Sequence, residues 1–174
     1  MSVENALILT NGGPGLLYWD GGKIGHCILR VTYRMEHEND NSGVFIRIPS
    51  EPIDVSMPTQ YAYEVQIDNH PERSGEDEYH STGTLYSLTK PLAKAWRPGP
   101  EWNTLEIAID GPHTIVMLND VKVTDYHEGD RVPPRNYHFE LIRGSRPDTG
   151  WIALQNHSER DVVLFKEIAI KPLH

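Results

Sequence analysis

The 174-residue chain is long enough for one well-buried domain and short for two, and its 38% hydrophobic and 24% charged content is that of a globular protein. Acidic residues outnumber basic ones 25 to 16, for a formal charge of −9, which opposes phosphate backbones and anionic membranes and argues against nucleic acid or a membrane surface as partner. No apolar run is long enough to span a bilayer, and the lone Cys27 excludes an internal disulfide and a multi-cysteine zinc site.

The N-terminal stretch MSVENALILTNGG has no basic region and only a short apolar run, Ala6 to Leu9, so it does not read as a secretory signal and the expected compartment is the cytoplasm. Period-2 alternation or β-rich apolar runs bounded by turn residues then predict strands at 6–10, 15–19, 26–34, 43–48, 61–68, 82–88, 103–110, 114–118, 121–125, 151–156 and 162–171. No window carries a sustained helical stripe; one helical turn is expected near 92–95. Asp110-Gly111-Pro112 and Asn119-Asp120 have the chemistry of tight turns. About eleven short strands joined in this way predict an all-β sandwich or barrel. Cys27 alternates with Leu29, Val31 and Tyr33, which predicts a buried, inert thiol.

Long connections at 49–60, 70–81, 89–102 and 126–150 interrupt the strands, and such loops in a compact β-domain tend to carry function. Within YAYEVQIDN, Tyr61, Tyr63, Val65 and Ile67 fall on one side of the pleat and Glu64, Gln66 and Asp68 on the other. In GVFIRI, Arg47 joins Phe45 opposite Val44, Ile46 and Ile48; in WIALQNH, Gln155 and His157 oppose Ile152 and Leu154. If these strands are neighbours, Arg47, Glu64, Gln66, Asp68, Gln155 and His157 share one polar face. Each has a plainer reading: Arg47 and Glu64 as a cross-strand ion pair, His157 as a surface residue, Asp68-Asn69 as the start of a turn. Trp96 suits either core packing or stacking on a sugar ring. The acids of 70–81 read as a solvated loop tip, and no element fixes the spacing of His70, Glu72 and His80 for a metal.

The segments NSGVFIR, YEVQI, TGTLY, EWNTLEI, LNDVKVTDY and GWIALQNH followed by VLFKEIAIKPL resemble, in order, the 3-keto-disaccharide hydrolase family, from about Leu7 to Leu173. The resemblance implies a concanavalin A-like jelly-roll β-sandwich of two antiparallel sheets over 1–174, holding carbohydrate on a concave sheet. It also implies chemistry on glycosides oxidised to a ketone at C3. The ketone acidifies the C2 proton, so a base removes it, hydrogen-bonding or cationic groups stabilise the enolate, and the C1 substituent leaves by elimination, with or without later hydration. In that scheme Arg47 polarises the ketone, Glu64 or His157 is the base, and Gln66, Asp68, Tyr86, Trp96 and Gln155 hold the sugar. Relatives commonly begin with an extra strand and are commonly exported. The first leaves a sheet edge open or paired with a second subunit, so a homo-oligomer is expected through that edge; the second runs against the cytoplasmic expectation. A divalent metal, most plausibly calcium on loop oxygens, suits sandwiches of this kind, although no EF-hand spacing is present.

Two alternatives stand beside this one. Glu64 and Asp68 resemble the paired acids of jelly-roll glucanases, but retaining hydrolysis needs carboxyls about 5–5.5 Å apart, and positions four apart on a flat strand lie roughly 13 Å apart. The other is a carbohydrate-binding module without chemistry.

Overall fold

The period-2 segments become strands because each can bury one face. The protein, described here by a computed structural model over residues 1–173, has eleven strands: β1 (Ser2–Glu4), β2 (Leu7–Leu9), β3 (Gly15–Tyr18), β4 (Cys27–Met35), β5 (Ser42–Ile48), β6 (Tyr63–Ile67), β7 (Asn103–Asp110), β8 (His113–Leu118), β9 (Val121–His127), β10 (Trp151–Asn156) and β11 (Val163–Pro172). They form a seven-stranded sheet, β1-β2-β11-β4-β7-β8-β9, and a four-stranded sheet, β3-β10-β5-β6, with every pairing antiparallel. This is the all-β jelly-roll sandwich that the resemblance implies.

The inner faces meet in one core. Cys27, Leu29, Val31 and Tyr33 of β4 alternate into it as expected, opposite Val44 and Ile46 of β5 and Tyr63, Val65 and Ile67 of β6. Burial pushes the Cys27 thiol up, against the nearby Arg47 charge, which leaves it an unreactive core group. Asn119 and Asp120, at φ of +50° and +67°, turn β8 into β9 as a hairpin whose two central residues are both left-handed.

Four details depart from the sequence reading. First, an α-helix, Ser56–Tyr61, lies in the connection before β6, while 92–95 is irregular. Six residues are too few for an apolar stripe; the start of the helix is held by the Asp54 carboxylate, which accepts from the backbone N–H of Ser56 (2.9 Å) and of Met57 (3.1 Å). Second, 82–88 is a folded-over segment: Gly83 and Ser87 have positive φ, and a single bridge joins Leu85 to Val65. Its backbone still extends the edge of β6, through Gln66 N to Thr84 O (3.0 Å) and Tyr86 N to Glu64 O (2.9 Å). Third, Ser2–Glu4 adds a strand that pairs with β2. β2 in turn meets β11 only at Leu164 and Phe165, so Ile168 and Ile170, on the core-facing side of β11, stay 40% and 39% exposed.

The fourth departure relocates Arg47. Between the pairs Ala153↔Phe45 and Trp151↔Ile48, β5 spends one residue more than β10, and Arg47 takes up the excess at φ +55°. Alternation therefore changes phase. Val44 and Ile46 face the core, but Ile48 joins Phe45, Ala62 and Ala153 on the other side, and Arg47 turns inward. There its guanidinium donates to the backbone carbonyls of Gly111 and Pro147 (3.1 Å for the latter), tying the bulge to the β7–β8 turn. Gly150 permits the bulge, since a Cβ there would sit 2.5 Å from the Arg47 carbonyl carbon.

Candidate functional site

Glu64 and Gln66 of β6 project from the four-stranded sheet away from the core, beside Gly43 of β5 and Gln155 of β10, and together with Asn41 and His157 they floor a cavity of about 490 Å³. Its walls come from the connections: Thr59 and Gln60 of the helix, Glu76 of the acidic loop, Tyr86, His138 and Phe139. The sheet supplies a rigid floor and the loops supply the rim.

The Glu64 carboxyl is buried and lies across Gly43, where a Cβ would come within 2.2 Å of Oε1. Only glycine leaves room for it. Burial, with the charge of Glu76 as a second cause, raises Glu64 from 4.5 to about 8, against the opposing pull of the Gln155 amide. Glu64 thus holds its proton through most of the neutral range and is a strong base once ionised, the perturbation expected of a group that moves protons. Tyr86 donates its hydroxyl to Glu76 (3.3 Å), and burial, followed by the Glu76 charge, pushes its phenol upward.

The amides are arranged as a relay with open ends. Gln66 Nε2 donates to Asn41 Oδ1 (3.4 Å), and Asn41 Nδ2 donates to Asp68 Oδ2 (3.3 Å). Gln66 Oε1 and Gln155 Oε1 are buried with no partner among the described residues. An unpaired buried acceptor costs about 1–3 kcal/mol, a deficit that a hydroxyl-rich ligand in the cavity would relieve.

His157 follows β10, half exposed, with Nδ1 2.8 Å from Asp161 Oδ2. The hydrogen bond that Nδ1 donates to Asp161 raises the imidazole above its ordinary value, despite partial burial. Burial pushes the Asp161 carboxyl up, but hydrogen bonds from His157, Ser158 (2.5 Å) and the Asn41 N–H (3.0 Å) prevail and leave it lowered. An Asp–His pair of this kind fixes both the tautomer and the direction of the ring.

Of the residues expected in the site, Glu64, Gln66, Tyr86, Gln155 and His157 line one cavity. Arg47 does not, being turned between the sheets by the bulge. Trp96 packs against the core beside His70 (ring centroids 5.3 Å apart) and under Lys94, away from the pocket lining. Asp68 sits behind the pocket: it accepts from Asn41 and from the His70 N–H (2.9 Å), and burial is the main cause that raises its carboxyl to about 6. Asn41, Thr59, Gln60, Glu76, His138 and Phe139 also line the cavity, and strand alternation marks none of them. Asn41 lies within the NSGVFIR segment, but Glu76 belongs to a loop whose composition alone reads as solvated. A second cavity of about 560 Å³ opens at the β3/β10 and β2/β11 edge; it is apolar, its charged lining residues are Lys166 and Glu167, and it gathers no buried carboxylate.

A jelly-roll sheet with a recessed pocket of carboxyl, amide and imidazole groups defines a carbohydrate-active class of protein, and comparison with known proteins bears this out. Residues 2–171 match the 3-keto-alpha-glucoside-1,2-lyase-like domain, and the chain belongs to that family. It is 27% identical, over 99% of its length and 70% of the relative's, to a 3-keto-disaccharide hydrolase of Bacteroides thetaiotaomicron. Among solved structures it resembles a candidate glycosyl hydrolase of Parabacteroides distasonis (TM-score 0.81, 20% identity, 99% of this chain and 89% of that one). It also resembles the carbohydrate-binding module CBM66 of Bacillus subtilis (TM-score 0.58, 11% identity, 95% of each chain). These two likenesses speak for the fold.

Proposed function

We propose that the protein cleaves 3-keto-glycosides in the Glu64 pocket, by elimination across C1 and C2 with hydration of the product where water has access. The observation that carries this reading is the combination of a buried carboxyl raised to about 8 with two unpartnered amide oxygens on one cavity floor. The ionised Glu64 takes the proton from C2, the electron pair forms the C1–C2 double bond, and the C1–O bond breaks with its electrons leaving on the aglycone oxygen. A carboxylate of this basicity is better matched to an α-keto C–H than an ordinary one, since transfer is most efficient when the base titrates near the working pH. With Arg47 elsewhere, the enolate oxygen is served by neutral amide donors and by His157, which in its protonated form donates from the ring held by Asp161. Gln66 and Gln155 accept from sugar hydroxyls. For the divalent metal that the resemblance implies, Glu64, Glu76 and His157 line the pocket but are not among the His, Asp and Glu side chains whose ligand atoms come together in the described residues, and no step is routed through one.

The test is incubation with 3-keto-glucosides of several aglycones, with and without divalent metals, following aglycone release and the fate of the sugar. Release from 3-keto substrates alone, with a primary isotope effect from deuterium at C2, is the expected result. Unchanged 3-keto substrates across all aglycones and metals would sink the reading. One alternative has its own support: Glu64 and Glu76 share the cavity, and the charge of Glu76 is one cause of the raised Glu64 carboxyl. Hydrolysis of unoxidised glycosides would favour that pair acting as glycosidase acids.

A further inference from the structure

The outer face of the seven-stranded sheet, on the opposite side of the sandwich from the pocket, carries a row of histidines and acids that the proposed chemistry does not use. Its origin is the register. Asp110 of β7 lies directly across from His113 of β8, which lies directly across from His127 of β9. Asp125 lies two residues before His127 on the same face, since the side chains of a strand repeat every second position. A register shift between Val116 and Met117 places Lys122 on that face as well, and its ammonium meets Asp125 Oδ2 at 2.6 Å. Five neighbouring side chains, Asp110, His113, Lys122, Asp125 and His127, therefore stand in close array over one patch of sheet.

We propose that His113, Asp125 and His127 form a binding site for a borderline divalent transition metal of the Zn²⁺ class. One ligand atom from each residue lies within 4.8 Å of the others. His113 Nε2 is already 2.6 Å from Asp125 Oδ1, and the rings of His113 and His127 stack with centroids 3.7 Å apart and planes 14° apart. Two imidazoles and a carboxylate are ligands that Zn²⁺ accepts, and a surface position leaves water to complete a tetrahedron. The same set is a poor match for calcium, which prefers six or more oxygens.

Binding needs only local exchange. His113 moves its proton from Nε2 to Nδ1 and gives the Nε2 lone pair to the ion, so the hydrogen bond to Asp125 is replaced by two metal bonds. Asp125 already presents Oδ1 to His113 Nε2 at 2.6 Å, the oxygen that the ion would take. Lys122 uses the other oxygen and does not block Oδ1. Asp110 adds a second carboxylate beside His113 and pairs with His26 (3.3 Å), so the charges facing the ion are two acids against one ammonium. The ion would clamp β9, the edge strand of the sheet, to β8.

The experiment is a calorimetric titration of the untagged chain with Zn²⁺ at pH 7.5, followed by Co²⁺ substitution with visible spectroscopy. The expected result is one site, an intense tetrahedral Co²⁺ band displaced by Zn²⁺, and a thermal midpoint raised by roughly 5–10 °C at 100 Kd. His113→Asn and His127→Asn should each weaken binding by at least about 10-fold, with the far-ultraviolet circular dichroism unchanged, while His157→Asn on the pocket side should leave the affinity as it is. Absence of saturable binding below millimolar metal, affinity unchanged in both row variants, or affinity lost only in His157→Asn would each overturn the proposal. None of these outcomes bears on turnover of 3-keto-glycosides, so the two readings fail separately.

Discussion

Glu64→Gln should make the protein more stable at alkaline pH while lowering its activity about 10²-fold or more. Glu64 is buried and keeps its proton in the fold up to about pH 8, whereas the unfolded chain releases it near 4.5. Folding therefore takes up a proton between those values, and the contribution of the protonated group is fully present below about 4.5 and lost as pH rises through about 8. At about 1.36 kcal/mol for each pH unit between 4.5 and about 8, the difference is worth up to about 5 kcal/mol. Glutamine has the same length, fits over Gly43, and does not titrate. Urea unfolding at pH 4, 5, 6, 7, 8 and 9 is the assay. The two proteins should be within about 1 kcal/mol at pH 4 and diverge steadily, the variant ahead by several kcal/mol at pH 9. Parallel curves across that range would refute the assignment of an elevated Glu64. Turnover of a 3-keto-glucoside should fall by about 10²-fold or more, the usual contribution of a positioned base.

Three further outcomes test neighbouring steps. Gly43→Ala forces its methyl into the space of Glu64 Oε1, 2.2 Å from the Cβ position, so turnover should drop at least about 10-fold with the circular dichroism spectrum preserved; wild-type rates would show that Glu64 is not held there. Glu76→Gln removes the charge that helps raise Glu64, so the acid limb of the pH–rate profile should move to lower pH, and an unmoved limb would separate Glu76 from the base. Arg47→Met strips donors from the buried carbonyls of Gly111 and Pro147 and should cost about 2–4 kcal/mol, with KM for sugar unchanged in whatever protein folds; a KM effect without a stability loss would return Arg47 to the site.

Alternation alone was sufficient for an all-β fold, and the family resemblance for a sandwich over a barrel, because a strand that buries one face must alternate, and Cys27, Leu29, Val31 and Tyr33 or Tyr63, Val65 and Ile67 can be assigned to the core without knowing their neighbours. It also sufficed for the polar faces of β6 and β10, which bring Glu64, Gln66, Gln155 and His157 to one cavity. Arg47 shows where that logic ends. Alternation holds only while two strands advance in step, and the extra residue in β5 against β10 turns Arg47 from the outer face to the interior, a change decided by pairing between positions about 100 residues apart. Glu76 shows the second limit. Nothing local separates a carboxylate over a pocket from one in solvent; only the folding of 70–81 onto the sheet brings Glu76 near Glu64, and burial by the rest of the chain then raises that carboxyl into the range where it can exchange protons. Composition and period determined which side chains face which way, and tertiary structure decided which of them meet and how far from water they do so.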